Sequence, residues 1–152
     1  MTQAATAMAM SGLAELGRLF LNPPPASDLV GRVEYTRLFL NPQGAPCPPW
    51  QSLYQTGANG RTLMGETHHS ALAWYRRYGF EPALENEPAD HVGLLLMFYA
   101  HMIEQGASEA DLGAFEASHL GWLGEFAGRL MAANPKEPFR SAGLALVASQ
   151  MA

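Results

Sequence analysis

Val92-Gly93-Leu94-Leu95-Leu96-Met97-Phe98-Tyr99-Ala100, carried on by Met102 and Ile103 past His101, is the longest apolar run of the chain. A bilayer span needs roughly 20 apolar residues, so this run is too short to be one. It is apolar nearly all round rather than along one stripe, which is the pattern of a helix buried at the centre of a bundle. The composition agrees. Alanine (24) and leucine (20) dominate, whereas valine (4) and isoleucine (1) are scarce. Ala and Leu lose little freedom in a helix, and β-branched residues are the ones that fill pleated surfaces. The chain is expected to be all-α, a compact helical bundle forming one domain over residues 1–152.

The remaining elements are placed by their breakers. A first helix is expected over Ala9–Leu21, with Leu13, Leu16, Leu19 and Phe20 on one stripe. Residues 1–8 are expected to be disordered, and they lack the basic stretch that opens an export leader. Asn22 and Pro23-Pro24-Pro25 end the first helix. Asp28 is placed to cap a second, running to Leu40. A Pro/Gly-rich loop over 41–61 follows, with a short turn at Gln51–Tyr54. Further helices are expected over Thr62–Tyr78, from near Pro88 to Gly106, from Ser108 to Ala133 and over Pro138–Gln150. The sequence Arg-Leu-Phe-Leu-Asn-Pro occurs at both 18–23 and 37–42 and marks two helix ends, not a repeat array.

Charge and chemistry exclude much. Nine Lys and Arg against fourteen Asp and Glu give a net charge of −5, unsuited to displacing counterions from nucleic acid. The single cysteine, Cys47, allows no internal disulfide and fits a reducing compartment. Glu116-Ala-Ser-His119 is one Glu-x-x-His pair, where di-iron bundles need two with further glutamates. No metal site and no cofactor are expected. There is no Gly-x-Ser-x-Gly elbow and no phosphate loop, so the chain is not read as an enzyme.

Two stretches stand out. Tyr35-Thr36-Arg37-Leu38-Phe39-Leu40-Asn41-Pro42 leads through Pro46-Cys47-Pro48-Pro49-Trp50-Gln51-Ser52-Leu53-Tyr54. A stiff proline loop bearing Trp50 and Tyr54 offers large aromatic area at low entropic cost, as a peptide-binding wall requires; the same rings would equally serve to plug a bundle end. Glu87-Pro88-Ala89-Asp90-His91 is the second. With Glu81 and Glu85 it sets four acids within ten residues and no base among them, a dock for a cation.

Together the two stretches resemble the TorD/DmsD family of redox-enzyme maturation chaperones, in a Tyr-x-x-Leu-Phe…Pro-x-Pro-Pro-Trp-x-Ser-x-Tyr segment and a Glu-Pro-x-Asp-His-x-Gly-Leu segment. Leu63–Thr67, Tyr75–Phe80 and His119–Leu123 fit as well. The resemblance implies a cytoplasmic all-helical chaperone that binds the twin-arginine signal peptide of a molybdenum-cofactor oxidoreductase before export. Mapped by motif, Leu38, Phe39, Pro49, Trp50 and Tyr54 form the apolar wall. Glu87, Pro88, Asp90 and His91 form the polar end, with Asp90 pairing to a guanidinium and His91 hydrogen-bonding backbone, its titration tuning release. The family's usual pattern has more helix between Leu21 and Tyr35. A shortened bundle exposes apolar surface, so a homodimer is expected. The alternatives are a helical assembly factor for a non-exported oxidoreductase subunit and a metal-dependent enzyme.

Overall fold

The computed structural model describes residues 3–55, 64–83 and 86–150, with side chains described for all of these except 3–11 and 150. Its elements are α1 (Gln3–Leu21), α2 (Leu29–Tyr35), α3 (Glu66–Arg77), α4 (Val92–Glu104), α5 (Glu109–Phe115), α6 (Leu123–Ala132) and α7 (Phe139–Gln150). Two π-helical turns, Thr36–Leu40 and Glu116–Leu120, continue α2 and α5, and Gln51–Leu53 is a 3₁₀ turn. No strand occurs among the described residues, so the protein is all-α.

The chain folds as two compact units. One comprises residues 1–21 and 50–121, the other 22–49 and 122–152.

In the first unit α1 packs against α4. The two helices touch backbone to backbone where glycines face each other. A Cβ on Gly17 would lie 2.6 Å from the Gly93 carbonyl, and one on Gly93 would lie 2.5 Å from the Gly17 carbonyl. As expected from its all-round apolarity, α4 is the buried helix: Val92, Leu94, Leu95, Leu96, Phe98 and Met102 are inaccessible to solvent or nearly so. Around Phe98 sit Tyr75, Phe80 and Phe115, with ring centroids 4.8, 5.4 and 5.0 Å away.

The second unit is built on aromatic residues from α2 and its π turn against α6 and α7. Phe39 stacks on Phe126 at 6.3 Å and meets Phe139 edge-on at 5.4 Å. Asp28 caps α2 as expected, its Oδ1 accepting from the Gly31 amide at 2.9 Å. Glu34, buried, takes a two-pronged bond from Arg37 at 2.8 and 2.9 Å and the Lys136 amide at 2.7 Å. Those donors hold its carboxyl below the usual range against the opposing effect of burial.

Several boundaries differ from the sequence reading. α1 begins at Gln3, so the segment expected to be disordered is helical from there; Ala and Met are strong helix formers. α3 starts at Glu66 and not at Thr62, because Met64 adopts a left-handed backbone (φ 63°) just before the N-cap Gly65; Thr62 and Leu63 lie outside the described residues. α4 starts at Val92, not near Pro88, because the His91 side chain and not the proline makes the cap. The single helix expected over Ser108–Ala133 is broken after Leu120: the π turn ends there and Gly121 and Trp122 form a turn before α6. Of the 41–61 loop, Gln51–Leu53 is a 3₁₀ turn and 56–61 lie outside the described residues.

Candidate functional site

Glu87-Pro88-Ala89-Asp90-His91 forms the approach to α4, and backbone bonds clamp the loop from Trp50 onto it. Trp50 and His91 form an antiparallel bridge, and the Gln51 amide donates to the Asp90 carbonyl at 3.2 Å. Asp90 is inaccessible to solvent. Its Oδ2 accepts from the Ser52 amide at 2.9 Å and the Thr67 hydroxyl at 2.6 Å, while its Oδ1 and the Ser52 hydroxyl have no hydrogen-bond partner among the described residues. Asp90 thus ties the 50–55 loop, the start of α3 and the approach to α4 at one point. A carboxylate so placed is held by charge-assisted bonds, each stronger than a neutral one.

Glu87, by contrast, is half-buried at the surface. Its Oε1 accepts the Trp50 indole N–H at 2.6 Å. Burial raises its carboxyl from the usual range and the indole donor opposes that rise. Trp50, itself half-buried, meets the His91 ring edge-on at 5.9 Å. The pair presents a carboxylate with a second oxygen beside an indole.

The three buried histidines all work as neutral acceptors. The His91 Nδ1 takes the Gly93 amide at 2.9 Å, and the His68 Nδ1 takes the Ala89 amide at 2.8 Å. For His119 the tautomer follows from its neighbours. The Gln51 amide nitrogen donates to Ser118 O and Gln55 Oε1, leaving Gln51 Oε1 to accept. The His119 Nδ1–H therefore donates to it at 2.7 Å and the Nε2 accepts from the Ser70 hydroxyl at 2.9 Å. Burial pushes His91 down to about 3 and His119 to about 4. The backbone hydrogen bond expected of His91 is present, and burial sets its titration well below the range in which it was expected to tune release. His91 acts as the helix cap of α4.

A stability effect follows, and its sign is fixed. The unfolded chain protonates these histidines near pH 6.5, whereas the folded chain resists until far lower. Stability is whole above that pH and falls below it, by about 2 kcal/mol for each of the two by pH 5. Urea titrations at pH 7.5 and 5.0 check this; equal midpoints would contradict it.

The sequence-derived candidates divide between the units. Trp50, Tyr54, Glu87, Pro88, Asp90 and His91 belong to the first, and the structure joins Trp50, Glu87, Asp90 and His91 there. Leu38, Phe39 and Pro49 belong to the second and are buried; Leu38 and Phe39 are 0% and 1% exposed. Tyr54 is half-buried. Gln51, Thr67 and His119 are not among the site residues expected from sequence, because a buried hydrogen-bond network leaves no local spacing to read. The Ser70–His119–Gln51 chain has a hydrolase-like order, yet Ser70 lies within α3, where the neighbouring amides serve the helix. Cys47 is no nucleophile: it is buried, donates to the Leu38 carbonyl and is pushed up to about 12. Among the described residues no cluster of His, Cys, Asp and Glu can hold a metal, and no helix is long and apolar enough to cross a membrane.

The all-helical fold carries a buried acid–histidine pair, Asp90 and His91, at the start of its buried helix α4. The model of the nitrate reductase delta subunit family matches residues 3–128, and the chain belongs to that family. The fold is that of a protein from Archaeoglobus fulgidus assigned to redox enzyme maturation. That crystal structure superposes with a TM-score of 0.63 at 21% identity, over 100% of this chain and 96% of the other.

Proposed function

We propose that this protein is a cytoplasmic chaperone of the TorD/DmsD type that binds the twin-arginine signal peptide of a molybdenum-cofactor oxidoreductase until cofactor is inserted. The observation that carries the reading is the half-buried Glu87–Trp50 hydrogen-bonded pair beside the buried Asp90. A twin-arginine peptide is basic and then apolar. A guanidinium fits the free edge of the Glu87 carboxylate and lies against the indole face of Trp50, combining a charged hydrogen bond with a cation–π contact. Asp90, enclosed behind them, adds negative potential and holds the loop that carries Trp50. In this proposal Tyr54, of the first unit, supplies apolar wall. Leu38, Phe39 and Pro49, buried in the second unit, keep within that unit the apolar role the resemblance gives them. No resident cofactor or metal enters it, and a second copy of the chain belongs to it as a partner.

Calorimetric titration with a twin-arginine peptide from a molybdoreductase encoded nearby, at low and at moderate salt, tests it. Binding in the micromolar range or tighter, weakening as salt rises, is the expected result. The description of the matching family as a reductase subunit favours one second reading, an assembly factor for a non-exported oxidoreductase subunit. That reading expects capture of the isolated catalytic subunit and no binding of the peptide.

A further inference from the structure

One flank of the α1–α4 pair carries a cleft of about 430 Å³ that shares no lining residue with the Glu87–Trp50 pair. Gly17 meets Met97 and Leu21 meets Gly93, so the two helices run antiparallel. Small residues from both, Ala14 and Ala100, form the floor of the cleft, and Met97 and Phe80 form its walls. His101 stands beside Phe80 with ring centroids 5.4 Å apart, and its Nε2–H donates to the Tyr78 carbonyl at 2.8 Å, which fixes the ring in place. The volume lies within the range of small-molecule sites, about 300–1,000 Å³.

The charges at its rim decide what it can hold. Arg18 and Glu104, both exposed, line this one cleft from opposite helices. In the antiparallel register Arg18 stands level with the Met97 turn and Glu104 two turns further along α4, roughly 12 Å away at the backbone. A helical side chain leans toward the N-terminus of its own helix, so on antiparallel helices these two lean toward each other, over Ala14 and Ala100. A guanidinium has five donors and takes a carboxylate in a two-pronged bond, while the Glu104 carboxylate takes an ammonium. A ligand of one sign is attracted at one end of the cleft and repelled at the other. A molecule with both charges and an apolar body satisfies all of it. Two residues of extended peptide span roughly 7 Å, which fits between side chains leaning inward from that separation.

We infer that this cleft binds a small apolar zwitterion of dipeptide size, its carboxylate on Arg18, its ammonium on Glu104 and its side chains against Phe80 and Met97. The inference does not rest on signal-peptide binding, which uses the Glu87–Trp50 pair. A free dipeptide with two large apolar side chains is the simplest molecule of this class.

Titration of the full chain with the dipeptide leucyl-phenylalanine, followed by NMR at the methyl groups of Ala14, Met97 and Ala100, tests it. The expected result is a saturable shift of these methyls with Kd at or below about 1 mM, and none at the Trp50 indole N–H. The N-acetylated dipeptide and the dipeptide amide, each lacking one charge, bind at least fivefold more weakly. Glu104→Gln removes the preference for the free amine and keeps the preference for the free acid, a split that a general loss of structure would not give. Ala14→Leu fills the floor and abolishes the shifts at Met97 and Ala100. No saturable shift up to about 10 mM overturns the inference, and so does equal binding of the blocked forms. Shifts centred on the Trp50 indole also overturn it, since the dipeptide then occupies the peptide dock. Failure of a twin-arginine peptide to bind leaves each of these results unchanged.

Discussion

Gly93→Ala is expected to destabilise the first unit by about 2–3 kcal/mol, and Gly113→Ala to stabilise the same unit by about 0.5–1 kcal/mol. Both replace a helical glycine by the best helix former, so propensity alone gives the two the same sign. The difference is what the new methyl meets. At Gly113 there is nothing within 4 Å. At Gly93 the nearest atoms are the Gly17 carbonyl oxygen at 2.5 Å, the Leu21 Cβ at 2.8 Å and the Leu21 amide at 2.9 Å. Backbone cannot move aside as a flexible side chain can, so α1 must separate from α4. Gly17→Ala meets the Gly93 carbonyl in the same way. Chemical denaturation of the three variants checks the contrast; a neutral Gly93→Ala would mean that the two helices do not cross at these glycines.

The second large effect separates the two acids of the motif. Asp90→Ala leaves the Ser52 amide and the Thr67 hydroxyl buried without their acceptor. The expected cost is about 3 kcal/mol or more, since removing one partner of a buried charged bond is penalised beyond the bond itself. Asp90→Asn retains an acceptor in the same place and costs less. Glu87→Gln should leave the melting temperature close to wild type, because the Trp50 indole can still donate to the amide oxygen. It should nevertheless weaken twin-arginine peptide binding roughly 10–100-fold by removing the charge at the reachable edge. Paired melts and titrations of Asp90→Ala, Asp90→Asn and Glu87→Gln check both halves. If Glu87→Gln binds the peptide like wild type while Asp90→Asn loses it with its fold intact, the dock is Asp90 and the loop over it opens.

The all-α class was legible because it follows from bulk supply: forty-four Ala and Leu against five Val and Ile leave little to face a sheet. The apolar run at Val92 was legible as the buried helix for a similar reason, since its burial shows in composition and not in a partner. Asp28 as a cap needed only its own neighbourhood. What was not legible depends on partners distant in the chain. Asp90 is internal because Ser52, 38 residues away, and Thr67, 23 residues away, close on it, and no local pattern separates it from the exposed Glu81. That His91 bonds backbone follows from the resemblance, but its particular partner, the Gly93 amide on its Nδ1, depends on the folded chain. The break at Gly121-Trp122 was read through because glycine within an amphipathic pattern ends a helix only when tertiary packing requires it. The division of the candidate residues between two units depends on where the chain crosses, at Leu21–Asn22, Pro49–Trp50 and Gly121–Trp122. Pro49 and Trp50 are adjacent in sequence and belong to different units.

The central claim is that the Glu87–Trp50 edge receives the arginines of a signal peptide. Amide hydrogen exchange on the wild-type chain, with and without a twin-arginine peptide at saturating concentration, examines that surface directly. The account expects slowed exchange at Trp50–Gln55 and Glu87–His91, lost when the two arginines of the peptide are replaced by alanine. Protection confined to other segments, or equal protection from the alanine peptide, would contradict it.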